Sequence, residues 1–207
     1  NIATRTLTTI GFFVNNGRLT GTTGIVALTG DFTNSGNFTL TTGRLTIASG
    51  NFNNSGNFTL SGAGRLLLGG NYNTSGSVTL SSALVQFTGN ANQTIQGFTT
   101  TGTVSMLKTG GVATFTGNVS GGGLTINGSD GILHLGTGLT HTFSGTWTRT
   151  TGTGILNCGS SLLKIGGSIS GTGGAFIAGA GTVNFYRSGN QNGAAVVYNN
   201  LILSGTG

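Results

Sequence analysis

Proline is absent from this chain, acidic residues number two and cysteines one, in 207 residues. The two carboxylates, Asp31 and Asp130, lie far apart in sequence. They make a poor glycosidase pair, which needs two acids flanking one bond. Calcium sites draw on several oxygen ligands, mostly carboxylates, and repeats of the GGxGxD type are missing. A single cysteine, Cys158, excludes an intrachain disulfide and a cysteine zinc cluster. It alternates with Leu156 in Ile155-Leu156-Asn157-Cys158, which reads as a small buried residue. His134 and His141 have no acid or thiol nearby in sequence, so they read as strand histidines with satisfied nitrogens. The glycine runs Gly121-Gly122-Gly123 and Gly171-Thr172-Gly173-Gly174 are not followed by the Gly-Lys-Ser/Thr of a phosphate-binding loop. Trp147 and Tyr198 are single aromatics and read first as core. These absences leave no catalytic, cofactor or metal residues to name, and the chain is not read as an enzyme.

Charge is scarce too. Charged residues make up 5%, against about a quarter in ordinary globular chains. The net charge of +6 comes from eight basic residues that do not cluster in sequence. No basic run is interleaved with aromatics, so nucleic-acid binding is not expected. Lys108 and Lys164 have no acidic partner and are expected to be solvated. No apolar run approaches the ~20 residues of a membrane span, so membrane insertion is not expected. The first residue is Asn, and no secretory leader is visible. Either a targeting segment has been removed or the sequence is a piece of a longer chain.

What the chain has in abundance is glycine, 42 residues, set in a repeat. Three consecutive copies of 20 residues run DFTNSGNFTLTTGRLTIASG, NFNNSGNFTLSGAGRLLLGG and NYNTSGSVTLSSALVQFTGN. Within a copy, Phe38 and Leu40, then Leu45 and Ile47, alternate with polar residues at the strand period of two. The triplets between these runs are turn chemistry: glycine accepts unusual backbone angles, and Asn and Ser bond to nearby backbone. Three strands and three corners per copy describe one coil of a solenoid. Stacking the copies aligns Phe32, Phe52 and Tyr72; Phe38, Phe58 and Val78; Leu40, Leu60 and Leu80; Leu45, Leu66 and Val85; and Ile47, Leu68 and Phe87. One coil cannot bury such a face alone, but neighbouring coils can. Asn34 and Asn54 are expected to stack outside, at a corner, beside Gly36, Gly56 and Gly76. Asp31, in register with Asn51 and Asn71, reads as another corner residue.

Taken in order, residues 1–14 alternate loosely, with Ile2, Leu7, Ile10 and Phe12 as core candidates. Residues 15–30 already follow the coil pattern: Gly17 matches Gly36, Leu19 matches Phe38, Val26 matches Leu45 and Leu28 matches Ile47. After Phe87 the period loosens, and residues 91–118 read as a longer excursion before coil-like segments resume. No composition break interrupts residues 1–207, which are read as one continuous domain. A longer repeat links Val85, Phe87 and Gln93 to Val183, Phe185 and Gln191 at an offset of 98. After one deletion, Val104, Met106 and Gly110 match Leu201, Leu203 and Gly207. The first copy runs on into Gly111-Val112-Ala113-Thr114, and Asn1-Ile2-Ala3-Thr4 resembles that continuation. The C-terminal end thus reads as though it flows into the N-terminal end of another copy. Neither end shows a capping helix, a proline or a charge-rich edge, and exposed strand edges invite strand addition. Ile2, Leu7 and Ile10 at one end and Val197, Tyr198, Leu201 and Leu203 at the other are the candidate inter-subunit contacts.

The segments NSGNFTL, GNANQTIQG and YNNLILSGTG resemble the repeats of large secreted surface proteins of Bacteroidetes-type and related bacteria. The Asn-Ser-Gly coils are also similar to filamentous-haemagglutinin-like β-helical adhesins. The resemblance implies an extracellular location at a bacterial cell surface, in adhesion or in a surface fibre; it brings no catalytic residues. The fold expected is an all-β solenoid, a right-handed three-sided β-helix of ~20 residues per coil and on the order of 50 Å long. The function expected is a building block of an extracellular filament whose partners are identical copies joined head to tail. The alternative is an adhesin stalk or glycan-binding module with a lateral face for glycans or surfaces. Ice binding through threonine arrays such as Thr148-Arg149-Thr150 is disfavoured, because the threonines do not form one regular column.

Overall fold

Alternation of apolar and polar residues in three- and four-residue runs, broken by glycine corners, produces parallel strands wound into a β-solenoid. The computed structural model describes residues 1–205. Gly207, the counterpart of Gly110 in the longer repeat, lies outside them. Among the described residues there is no helix, and all strand pairing is parallel. Two faces are continuous nine-stranded sheets. The first runs from Thr6–Thr9 to Ile169–Ser170, the second from Phe13–Asn15 to Ala175–Ile177. The third face consists of a four-stranded sheet, Arg18–Gly21 to Ser77–Thr79, and a six-stranded one, Phe98–Thr99 to Asn200–Leu203. The arrangement is three-sided, with about ten coils.

The register places the expected columns in line. Phe32 stands opposite Phe52, and Phe52 opposite Tyr72. Phe38 faces Phe58 and Phe58 faces Val78, while Leu45, Leu66 and Val85 follow one another on the first face. Ring centroids along the second-face column are 5.8 Å apart for Phe13–Phe32, 5.3 Å for Phe32–Phe52 and 4.9 Å for Phe52–Tyr72, all stacked. Rings of the third-face column meet them edge-on, as in Phe32–Phe38 at 5.1 Å. Each such aromatic contact contributes about 1 kcal/mol beyond its buried area.

Three expectations are corrected. Asn34 and Asn54 are buried rather than outside. In Phe32–Asn34 the first and third residues share the inward side, so the asparagine follows the phenylalanine into the core. There Asn15 Nδ2 donates to Asn34 Oδ1 at 2.7 Å, Asn34 Nδ2 to Asn54 Oδ1 at 2.7 Å, and Asn54 Nδ2 to Thr74 Oγ1 at 3.2 Å. At the N-terminal end Leu7 points inward opposite Val26, but Ile10 and Phe12 are 90% and 75% exposed. The strand ends at Thr9, Ile10 to Phe12 form the corner, and the alternation restarts with Phe13 on Phe32. Residues 91–118 form no excursion: Gln93–Ile95, Phe98–Thr99, Thr103–Met106 and Val112–Phe115 continue the coils. What changes there is register. Ile95, the last residue of its strand, stands opposite Tyr72, the first of its own. The next corner therefore comes early, the following strand misses Ser77–Thr79, and the third face passes from one sheet to the other. Val78 is only partly buried at this step, where its column partner Phe58 is fully so.

The longer repeat has a geometric meaning. Leu84–Phe87 belongs to the first face, whereas its counterpart Thr182–Phe185 lies on the third. The two copies are the same local coil design set a face apart.

Candidate assembly interface at the ends of the solenoid

The titratable groups inside the stack are buried, and His141 and Lys108 are fixed there by hydrogen bonds. His141 is fully buried; its Nδ1 accepts from Val119 N at 3.1 Å and its Nε2 lies 2.7 Å from Leu135 O, which only a protonated Nε2 can satisfy. Burial lowers its pKa below 6.5, and the Leu135 carbonyl only partly offsets this. Protonating Nδ1 would set it against the Val119 N–H. The unfolded chain takes up this proton near pH 6.5 and the folded chain only at lower pH. Stability should therefore hold above pH 6.5 and fall as pH drops from there toward the folded-state value. Melting temperatures at pH 7.5 and 5 should differ in the wild type, and the difference should shrink in His141→Gln. Cys158 is buried, as expected from its alternation, and burial pushes its thiol up to about 11.

Lys108 is not solvated but fully buried. Its Nζ donates to Ala91 O at 2.8 Å, Gln93 Oε1 at 2.9 Å and Thr88 O at 3.3 Å, and burial lowers its pKa to about 8. Gln93 is in turn fixed by Nε2 donating to Leu68 O and Gly70 O, both at 2.9 Å. Lys164 lies with Nζ 5.1 Å from the centre of the Tyr186 ring. The basic residues that are scattered in sequence are partly gathered by the fold, since Arg44 and Arg65 are register partners on adjacent strands. Among the described residues no group of three or more His, Cys, Asp or Glu side chains could hold a metal ion.

Laterally, a shallow polar groove of about 260 Å³ lies along the second face, lined by Thr33, Asn53, Asn73, Thr74 and Gln96 among others. Asn73 Nδ2 donates to Asn53 Oδ1 at 3.0 Å across it. Thr148, from the threonine stretch considered for ice binding, lies between Thr125 and Ser170 in register, so no uniform threonine column forms.

The ends differ from the flanks. Asn200–Leu203 pairs with Thr182–Phe185, putting Leu201 beside Val183 and Leu203 beside Phe185. Val183 and Phe185 are buried, but Leu201 and Leu203 are 47% and 74% exposed. Residues of the core columns thus stand with a coil on one side only. They border a cavity of about 530 Å³ together with Phe185, Gln191, Gly193 and Tyr198. Tyr198 is partly buried, with its ring near Phe176 and its hydroxyl donating to Gly193 O, and Val197 is 83% exposed. At the opposite end Ile2 folds over the first coil against Gly21 and Gly24, Leu7 is partly buried, and Ile10 projects into solvent. The candidate contacts therefore form two sets at opposite ends of one molecule. Sequence reasoning passed over Val14 and Ile202, which are also exposed at these ends. Both face outward on terminal strands, where alternation predicts a polar residue, and that mismatch was the available signal. No protein-family model, curated protein or solved structure matches the chain.

Proposed function

We propose that the chain is a structural unit of an extracellular filament at a bacterial cell surface, stacked end to end with identical copies. The observation that supports this reading is the open core at each end, above all Leu201 and Leu203, inward-facing yet uncovered. Every interior coil has its apolar columns covered from both sides, and a further coil is the covering that this geometry accepts. That coil is either the next one of the same chain or the first one of another copy. Backbone strand addition and continuation of the apolar columns hold the junction, and a contact of this head-to-tail kind that does not close on itself extends into a fibre. The low charge of the sequence suits such stacking, because like charges opposed on neighbouring strands repel.

Purified chain is expected to grow with concentration in light scattering and to show fibres of coil-stack width by electron microscopy. A chain that stays monomeric at high concentration overturns the reading. A second reading, a stalk or glycan-binding module, draws on the polar groove beside Asn53 and Asn73, whose amide and hydroxyl lining suits neutral sugar hydroxyls. Glycan-array binding that disappears in Asn73→Leu would favour it.

A further inference from the structure

The clamped glutamine beside Lys108 has a second copy in the chain, and only the first has a cation on its Oε1 among the described residues. In the first, Gln93 is clamped by Leu68 O and Gly70 O and offers its Oε1 to Lys108 Nζ, which also takes Thr88 O and Ala91 O. At the offset of 98 the counterparts of Thr88, Ala91 and Gln93 are Tyr186, Gly189 and Gln191. Gln191 is clamped in the same way, its Nε2 donating to Ile165 O at 3.2 Å and Gly167 O at 2.8 Å. Its Oε1 has no donor among the described residues, and Gln191 and Gly189 both line the open C-terminal cavity.

The missing cation cannot come from the same coil. The counterpart of Lys108 is Gly205, where a Cβ would lie 1.9 Å from Arg187 O, a backbone atom. Arg187 borders the cavity, but its guanidinium Nη1 is engaged with Ser144 O at 3.1 Å. Register names a donor from outside. If Asn1-Ile2-Ala3-Thr4 of a second copy continues the stack as Gly111-Val112-Ala113-Thr114 does, Arg5 takes the place of Phe115. Phe115 is a buried, inward residue opposite Ile95. The counterpart of Ile95 is Gly193, which has no side chain and leaves room beside Gln191. Arg5 is exposed in the single chain.

We infer that the C-terminal cavity is a socket for the Arg5 guanidinium of a second copy, which donates to Gln191 Oε1 and fixes the register of the end-to-end junction. This deepens the filament reading and rests on it. A guanidinium suits the place better than an apolar group, because stacking would bury the partly exposed Gln191 amide, and a buried amide oxygen left without a donor is costly.

A double-mutant cycle on end-to-end association, measured by sedimentation, tests it with Arg5→Met, Gln191→Met and the pair. Circular dichroism checks that each variant folds. Each single change is expected to weaken association about tenfold, the usual consequence of losing a buried charge-assisted hydrogen bond. The double variant should be no weaker than the worse single one, Arg5→Lys should retain most of the association, and Arg18→Met should change little. Wild-type assembly with unaffected or additive variants overturns the socket and leaves end-to-end stacking standing. A wild type that does not assemble overturns both.

Discussion

Gly56→Ala should destabilise the chain by about 3 kcal/mol, the upper part of the usual range for overpacking, whereas Gly17→Ala should leave the single molecule nearly unchanged. Both glycines occupy the same corner of the coil. A Cβ on Gly56 would lie 2.3 Å from Gly36 O and 2.5 Å from Ser35 C, both backbone atoms. The same is true along the column: Gly36 would meet Gly17 O at 2.1 Å and Gly76 would meet Gly56 O at 2.2 Å. A Cβ on Gly17 meets nothing within 4 Å, because no coil lies beneath it. The requirement is for close approach and not for unusual backbone angles, since none of these four glycines has a positive φ. The obstructing atoms belong to hydrogen-bonded corners, such as Gly56 N donating to Asn34 O at 3.0 Å, so they cannot yield cheaply. Thermal melting should place Gly56→Ala roughly 10 °C below wild type, with Gly17→Ala close to it. The proposed end-to-end stacking adds a second expectation. Once another coil sits beneath Gly17, its extra methyl meets a carbonyl as Gly56's would, so Gly17→Ala should fold normally yet assemble poorly. A Gly17→Ala protein that assembles as well as wild type would show that the N-terminal corner is not covered in the fibre.

How much of this was legible in the sequence follows from how far each signal extends. Columns such as Phe32, Phe52 and Tyr72 were legible because a fixed period carries the inward side from coil to coil without change of phase. Phase itself is local. A corner of one more or one fewer residue resets it, which is why Ile10 and Phe12 read as core but stand in solvent while Phe13 turns in. The asparagine ladder was visible as a repeat, but its side was misjudged by treating polar as outward. Three residues of strand place Asn34 on the side of Phe32, and the stack supplies enough donors and acceptors to keep it there. Lys108 and Gln93 were illegible as a pair, since their bond depends on how the corner holding Lys108 stacks on the corner of the preceding coil. At the ends only the apolar character was legible: Leu201 and Leu203 lie on the terminal strand and are exposed. The socket beside Gln191 needed coordinates, and the longer repeat became informative only once its first copy showed what the shared glutamine holds.

Asn34 ties three successive coils together in the interior of the stack. Its Nδ2 donates to Asn54 Oδ1 at 2.7 Å, Asn57 O at 3.1 Å and Gly36 O at 3.2 Å, while its Oδ1 accepts from Asn15 Nδ2. It is fully buried, so solvent cannot replace any of these partners. Asn34→Leu removes both functions: Asn54 Oδ1 loses its donor, Asn57 O loses the amide contact, and Asn15 Nδ2 keeps only Asn37 O; at about 1–3 kcal/mol for each buried group left without a partner, a loss of about 3 kcal/mol is expected. Asn15→Leu should cost less, because Asn15 ends the ladder and has a coil on one side only. Asn34→Asp keeps the shape and separates size from hydrogen bonding. One carboxyl oxygen would face three acceptors where the amide nitrogen had been, which a protonated acid tolerates and an ionised one does not. Burial and these acceptors raise its pKa in the folded state above the ~4 of the unfolded chain. The unfolded chain then releases the proton first, so stability should fall as pH rises from about 4 through the folded-state value. Measured against wild type at the same pH, urea unfolding at pH 4.5 and 7.5 should show Asn34→Asp markedly weaker at the higher pH and Asn34→Leu equally weak at both. An equal deficit of Asn34→Asp against wild type at the two values would mean that the ladder relaxes to admit a donor or water. The stack would then depend on its apolar columns and glycine corners alone.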